Sequence, residues 1–122
     1  MSNKKILIIE DEEEIIIALK LRLTSSGFNN ISVATDGETG WNKILDEKPD
    51  LIILDLIIPK IDGYEVCKRV KESSSTKHIP VIIVSAKGMV KDLDKALSLG
   101  ANDYLIKPYD WKLLLEKINK YI

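Results

Sequence analysis

Five short apolar runs constrain this chain more than anything else in it: Ile6 to Ile9, Ile31 to Ala34, Leu51 to Leu54, Val81 to Val84 and Tyr104 to Ile106. Most of their residues are β-branched, and none alternates cleanly between apolar and polar. Continuous aliphatic runs fit strands covered on both faces, as in a parallel sheet, and the segments between them carry helical periodicity instead. The last segment is the clearest: Trp111, Leu114, Leu115, Ile118 and Ile122 follow a helical stripe behind Asp110, a suitable N-cap. The first helix is expected over Glu12 to Ser26, stopped by Gly27. The second is announced by "TDGE", where Thr35 and Glu38 have capping-box spacing, and the third by "DGYE", with Asp62 and Glu65 spaced alike. A fourth is expected from about Met89 to Leu99, with Gly100 where a left-handed C-cap is wanted. "ESSST" at 72 to 76 reads as a polar loop. Strand and helix alternate without a linker, repeat or low-complexity segment, which predicts one doubly wound α/β domain over residues 1–122.

Composition narrows the function classes. A chain of 122 residues with 45% hydrophobic content suits one core. It would bury roughly two thirds of the surface its unfolded form exposes. No apolar run approaches the roughly 18 residues of a membrane span, and "MSNKKILIIEDEEE" passes from lysine to acids too quickly for a signal peptide, so a cytoplasmic protein is expected. Cys67 is the only cysteine, which excludes an internal disulfide and suggests a small buried apolar residue. The formal net charge of -1 arises from mixed charges and makes no electrostatic case for nucleic-acid or membrane binding. Function must therefore come from a site.

The residues that follow the aliphatic runs supply one. Glu10 and Asp11 follow Ile9, Asp55 follows Leu54, Ser85 follows Val84, and Lys107 follows Ile106. Parallel strands all end at one edge of their sheet, so these side chains should converge in the crevice where open α/β sheets bind ligands. Close carboxylates repel unless a cation compensates them, and oxygen-only ligands suit magnesium. Each position alone has a bland reading, an acid as a helix cap or solvated loop residue and a lysine as surface charge. Their joint placement outweighs it.

The segments "ILIIEDE", "PDLIILDLIIPKIDGYEV", "IPVIIVSAK" and "GANDYLIKPYD" resemble, in order and spacing, the response-regulator receiver domains, also called CheY-like domains. The resemblance covers essentially the whole chain. It implies a flavodoxin-like (βα)5 three-layer sandwich with strand order 2-1-3-4-5. It also implies that Asp55 accepts a phosphoryl group from a histidine kinase or histidine phosphotransfer protein. Glu10 and Asp11 match the acidic pair that holds Mg2+ (or Mn2+) together with Asp55 and the backbone carbonyl of Ile57. Lys107 matches the lysine on the phosphoryl oxygens, Ser85 the switch hydroxyl and Tyr104 the aromatic switch. The bond before Pro108 matches a cis bond that aims Lys107 into the pocket. Output is expected through the fourth helix, fifth strand and fifth helix. The domain would be a signalling phosphoacceptor rather than an enzyme, supporting its own Mg2+-dependent phosphoryl transfer and slow self-dephosphorylation.

The chemistry is intelligible without the family. A carboxylate attacking phosphorus approaches anionic oxygens, so magnesium and Lys107 would have to neutralise charge while the nucleophile is held in line. The acyl phosphate's charge could draw Ser85 inward and vacate space for Tyr104, changing the surface. Glu10 replaces the family's more frequent Asp, and its longer arm could reach the ion through water. Ile57 and Lys87 resemble the variable positions that flank a hydrolytic water, and Ile57 offers that water no polar group.

Rival readings separate on particular residues. A phosphohydrolase of the haloacid dehalogenase type wants an acid two residues after Asp55, where this chain has Ile57. A flavodoxin wants a hydroxyl-rich phosphate loop where "EDEEE" would repel phosphate. A degenerate receiver, acting as a phosphorylation-independent binding module, is the serious alternative, and the intact acid, hydroxyl and lysine set argues against it. His78 reads as a loop residue. Trp41, with Ile44 and Leu45, reads as core, with Gly40 allowing close approach to the sheet. Trp111 reads as packed, and Lys87, Lys91 and Lys95 as a solvated face.

Overall fold

The computed structural model describes residues 2–86 and 90–122, without the side chains of Ser2, Val90, Lys91 and Asp92. Its elements alternate as expected: β1 (Ser2–Ile9), α1 (Glu13–Ser25), β2 (Phe28–Ala34), α2 (Gly37–Glu47), β3 (Leu51–Asp55), α3 (Gly63–Glu72), β4 (Val81–Ala86), α4 (Val90–Ser98), β5 (Asp103–Lys107) and α5 (Trp111–Tyr121). The strands form one sheet in the order β2-β1-β3-β4-β5, and every pairing is parallel. This is the CheY-like flavodoxin arrangement.

The aliphatic runs follow from the two-sided cover. Successive strand residues point to opposite faces, so a strand with helices on both sides needs no polar position. Leu7, Ile9, Ile52, Leu54, Val81 and Ile83 pack on one face with Val66, Val70 and Leu93. Ile6, Ile8, Leu51, Ile53, Ile82 and Val84 pack on the other with Leu19, Leu23, Leu114 and Ile118. The edge strands differ. In β5 only Leu105 is buried, whereas Tyr104 and Ile106 share the other face and stay 39% and 36% exposed. Strands β1 and β2 begin earlier than their aliphatic runs: Ser2 pairs with the core residue Phe28, with a shift of register between Ser2 and Lys5.

The helix signals hold with two corrections. Asp36, not Thr35, caps α2, accepting from the amide of Thr39 at 2.7 Å. A cap serves the residue three positions on, and the helix begins at Gly37, so the box is shifted by one. Asp62 does accept from the Glu65 amide at 2.9 Å, but Glu65 turns forward to Arg69 at 2.8 Å instead of back to the cap. Asp110 caps α5 through the Lys112 amide, and Gly27 and Gly100 take φ of 95° and 105°. Met89, the expected start of the fourth helix, lies outside the described residues.

On α2, Ile44 is fully buried and Trp41 packs half-buried against the core, but Leu45, expected beside them, is exposed at the margin of the helical stripe. Trp111 packs half-buried on the opposite core. Cys67 is buried, and burial pushes its thiol up to about 11, so it stays protonated. The 72 to 76 segment is more than a polar loop: Thr76 is fully buried, and its hydroxyl donates to the Val70 carbonyl at 2.8 Å. Among the described residues no helix is long and apolar enough to cross a membrane.

Candidate functional site at the carboxyl edge of the sheet

Register brings the strand-end residues together. Ile9 pairs with Leu54, Asp55 with Val84, Ser85 with Ile106, and Ala86 with Lys107. Glu10, Asp55, Ser85 and Lys107 are therefore neighbours at one edge, although 97 residues separate Glu10 from Lys107. Among the described residues the buried polar or charged side chains are Glu10, Asp55, Ser85 and Thr76, and the first three are all here.

Lys107 is the hub. Its Nζ donates to Glu10 Oε1 at 2.8 Å and to Asp55 Oδ2 at 2.9 Å. The second oxygen of Glu10 accepts from the amides of Asp11 and Glu12, and Asp55 Oδ1 accepts from the amide of Ile57 at 3.0 Å. These backbone bonds arise because the chain turns immediately after each strand, offering amides to the carboxylate just passed. Asp11 is exposed, yet Glu10, Asp11 and Asp55 each bring a carboxylate oxygen within 4.8 Å of the others.

The charges do not balance. Burial pushes Glu10 up from 4.5 to about 7; the Lys107 bond opposes this and the charge of Asp55 adds to it. Burial works against the Lys107 ammonium, but its bonds to Glu10 and Asp55 more than offset that and push it up to about 12. Among the described residues one fixed cation thus serves two buried carboxylates and a third at the rim. The hydroxyl of Ser85 is buried and lacks a hydrogen-bond partner among the described residues. A buried orphan hydroxyl costs about 1–3 kcal/mol, which a ligand oxygen in the pocket would relieve. The residues fit a small divalent cation: the donors are all oxygens, and the net charge favours an added positive ion.

The other expected positions are placed as follows. The Lys107–Pro108 bond is cis. Tyr104 faces outward, and the Ile57 side chain is 60% exposed. Lys87 lies outside the described residues. Gly63 was read only as part of a capping motif. A Cβ there would lie 2.5 Å from both the Asp55 carbonyl oxygen and Leu56 Cα, so α3 starts directly against the strand end that carries Asp55. An apolar groove of about 540 Å³, lined by Ile15, Leu19, Arg22, Tyr109 and Trp111, borders Lys107. On α1, Ile17 and Leu21 are 51% and 66% exposed.

Comparison with known proteins agrees with this geometry. The family model of the response regulator receiver domain matches residues 6–119. The chain belongs to that family. This receiver domain is 44% identical over 107 residues to the alkaline phosphatase synthesis transcriptional regulatory protein PhoP of Bacillus subtilis, covering 88% of this chain and 43% of that protein. It spans about half the length of the curated relatives it matches. Among solved structures it resembles the signal receiver domain of a signal transduction histidine kinase from Syntrophus aciditrophicus, with TM-score 0.89, 29% identity and coverage of 97% and 89% of the two chains. It also resembles the Mn(2+)-bound form of response regulator Rcp1, with TM-score 0.82, 28% identity and coverage of 96% and 90%. Receiver domains of this family bind Mg2+ at an acidic pocket and are phosphorylated by histidine kinases.

Proposed function

We propose that this receiver domain, spanning residues 1–122 and acting in the cytoplasm, accepts a phosphoryl group on Asp55 from a histidine kinase or histidine phosphotransfer protein. The observation that carries this reading is the setting of the Asp55 carboxylate. One oxygen is held by the Ile57 amide and the other by Lys107, with the Glu10 and Asp11 carboxylates beside it. A carboxylate oxygen forms the new bond to phosphorus as the donor's nitrogen–phosphorus bond breaks, and the imidazole leaves with that electron pair. Lys107, already on Asp55, is placed to follow the phosphoryl oxygens and offset their charge. Ser85, buried and without a hydrogen-bond partner among the described residues, supplies a donor that the phosphoryl group satisfies.

Glu10, Asp11, Asp55 and the carbonyl of Ile57 would hold Mg2+ or Mn2+. Such an ion would neutralise the phosphoryl oxygens against the carboxylates. Engagement of Ser85 then favours inward movement of Tyr104, which is exposed in this structure. That movement alters the surface of α4, β5 and α5, where Leu97, Ile106 and Leu113 are also exposed and an output protein would bind. The groove bordering Lys107, lined along α1 by Ile15, Ala18 and Leu19, offers a protein donor an apolar surface at the margin of the site. Ile57 presents no polar group to a hydrolytic water, which supports slow loss of the phosphoryl group once the donor is removed.

The test is incubation with Mg2+ and acetyl phosphate followed by intact-mass measurement and mapping. A hydroxylamine-labile adduct on Asp55 is expected, with none in Asp55→Ala. The same label gained by the variant at the same rate would overturn the assignment, and decay of the adduct after donor removal measures its lifetime.

A further inference from the structure

The loop from Leu56 to Asp62 presents Ile57 to the site, and an element that contributes no group to the site holds it. The amide of Gly37, the first residue of α2, donates to the carbonyl of Pro59 at 3.1 Å. That amide has no partner within its own helix, since the first turn of a helix leaves its N–H groups free. A Cβ on Gly37 would press on the Ile61 carbonyl oxygen and lie 2.6 Å from its carbonyl carbon and 2.9 Å from Ile61 Cβ. Between these two contacts Lys60 takes φ of 69°, and its Nζ lies 3.9 Å from Asp36 and 4.0 Å from Glu38 on the same helix terminus. At the far end the Gly63 amide returns to the Leu56 carbonyl at 3.0 Å. The loop is thus closed on itself by Gly63 and clamped from outside by Gly37.

From this geometry we infer that Gly37 is a positioning residue for the cation site: its bare Cα and its amide, bonded to Pro59 rather than within the helix, set the path of residues 59 to 61, and through them the place of the Ile57 carbonyl. The inference rests on the reading that this carbonyl is a ligand. Only glycine serves, because the obstruction is backbone and has no flexible tip to swing away. Gly40 is an informative contrast on the same helix. A Cβ there would meet the end of the Ile9 side chain at 2.7 Å, which touches the core but not the loop.

Two measurements test the clamp. In the wild-type protein, Mg2+ should slow hydrogen exchange at the Gly37 amide, whose acceptor is in the loop, while leaving the Gly40 amide, bonded to Asp36 within the helix terminus, unchanged. Linkage requires this if the ion and the clamp favour one loop conformation. In variants, calorimetry should show Mg2+ affinity weakened by about tenfold in Gly37→Ala, the scale seen when outer supports of metal ligands are removed. The rate of phosphorylation at saturating Mg2+ should be retained. Gly40→Ala should lose thermal stability with Mg2+ affinity unchanged. Equal Mg2+ affinity in Gly37→Ala and wild type, or no Mg2+-dependent protection at Gly37, overturns the inference while leaving the site intact, provided Asp11→Ala does lose affinity. Undiminished affinity in Asp11→Ala would overturn the ligand reading and the clamp with it.

Discussion

Two lysines in this molecule hold carboxylates at nearly the same distance, and two of those carboxylates, Asp103 and Glu10, respond in opposite ways. Lys117 lies 2.7 Å from Asp103, at the start of β5, and Lys107 lies 2.8 Å from Glu10 and 2.9 Å from Asp55, at the other end of the sheet. Burial raises Asp103, but the Lys117 bond, the Tyr104 amide and the charges of Lys117 and Lys120 together hold it below its usual 3.8. Glu10 has comparable bonds, yet is pushed up to about 7, because it is deeper and shares its lysine with Asp55. Bond length therefore does not distinguish a structural ion pair from a functional one. The count of charges and their access to water does. The Asp103 pair is complete, whereas among the described residues the Glu10 and Asp55 cluster has more buried carboxylate than fixed positive charge.

Removing each lysine in turn is the strongest way to break this comparison. Lys107→Met should slow phosphorylation by acetyl phosphate by about a hundredfold, the scale of losing one preorganised charge-stabilising donor. Lys117→Met should leave that rate unchanged and cost no more than about 1 kcal/mol of stability, as for partly exposed ion pairs. Similar losses of rate in both variants would show that the two pairs are alike.

The second contrast is in pH dependence, read by thermal unfolding without Mg2+. Glu10 has a folded pKa above its unfolded value, so between about 4.5 and 7 the unfolded chain releases a proton that the folded protein retains. Stability from this group is therefore highest at the acid end and falls as pH rises through that window, by at most about 1.4 kcal/mol per pH unit. Glu10→Gln should flatten the slope. Mg2+ should also flatten it in the wild type by favouring the ionised carboxylate, with affinity that weakens as pH falls. A slope unchanged in Glu10→Gln would place the titration elsewhere.

The smallest effect belongs to Asp103. Its lowered pKa gives a contribution present above 3.8 and lost as pH falls through the folded value, the reverse of Glu10. Asp103→Asn should cost about 0.5–1 kcal/mol at neutral pH and change nothing between pH 4.5 and 7. A change of slope in that window would mean that the two pairs are coupled across the sheet.

Much of the fold and the site was legible because both repeat a simple rule. Aliphatic runs that do not alternate must be covered on both faces, and the residue after each run must stand at the carboxyl edge, so Glu10, Asp11, Asp55, Ser85 and Lys107 could be gathered from sequence alone. Thr76 was missed because its burial depends on the chain folding back onto the Val70 carbonyl at the end of α3, which a polar segment does not advertise. The α2 cap was misplaced by one residue because Thr35 and Asp36 are both good caps, and only the position of Gly37 against the loop decides between them.

Sequence by itself determined the alternation of elements, the parallel sheet and the identity of the residues at its edge, because these depend on periodicity and on the direction every parallel strand must share. Tertiary structure alone decided the charge balance. Whether Lys107 reaches one carboxylate or two, whether Ser85 has a partner, and which amide holds the Pro59 carbonyl depend on distances of a few ångströms between segments far apart in the chain. At Glu10 burial outweighs the lysine and leaves the carboxyl near pKa 7, whereas at Asp103 the hydrogen bonds and lysine charges together outweigh burial and hold it below its ordinary value, although both are acids beside a lysine.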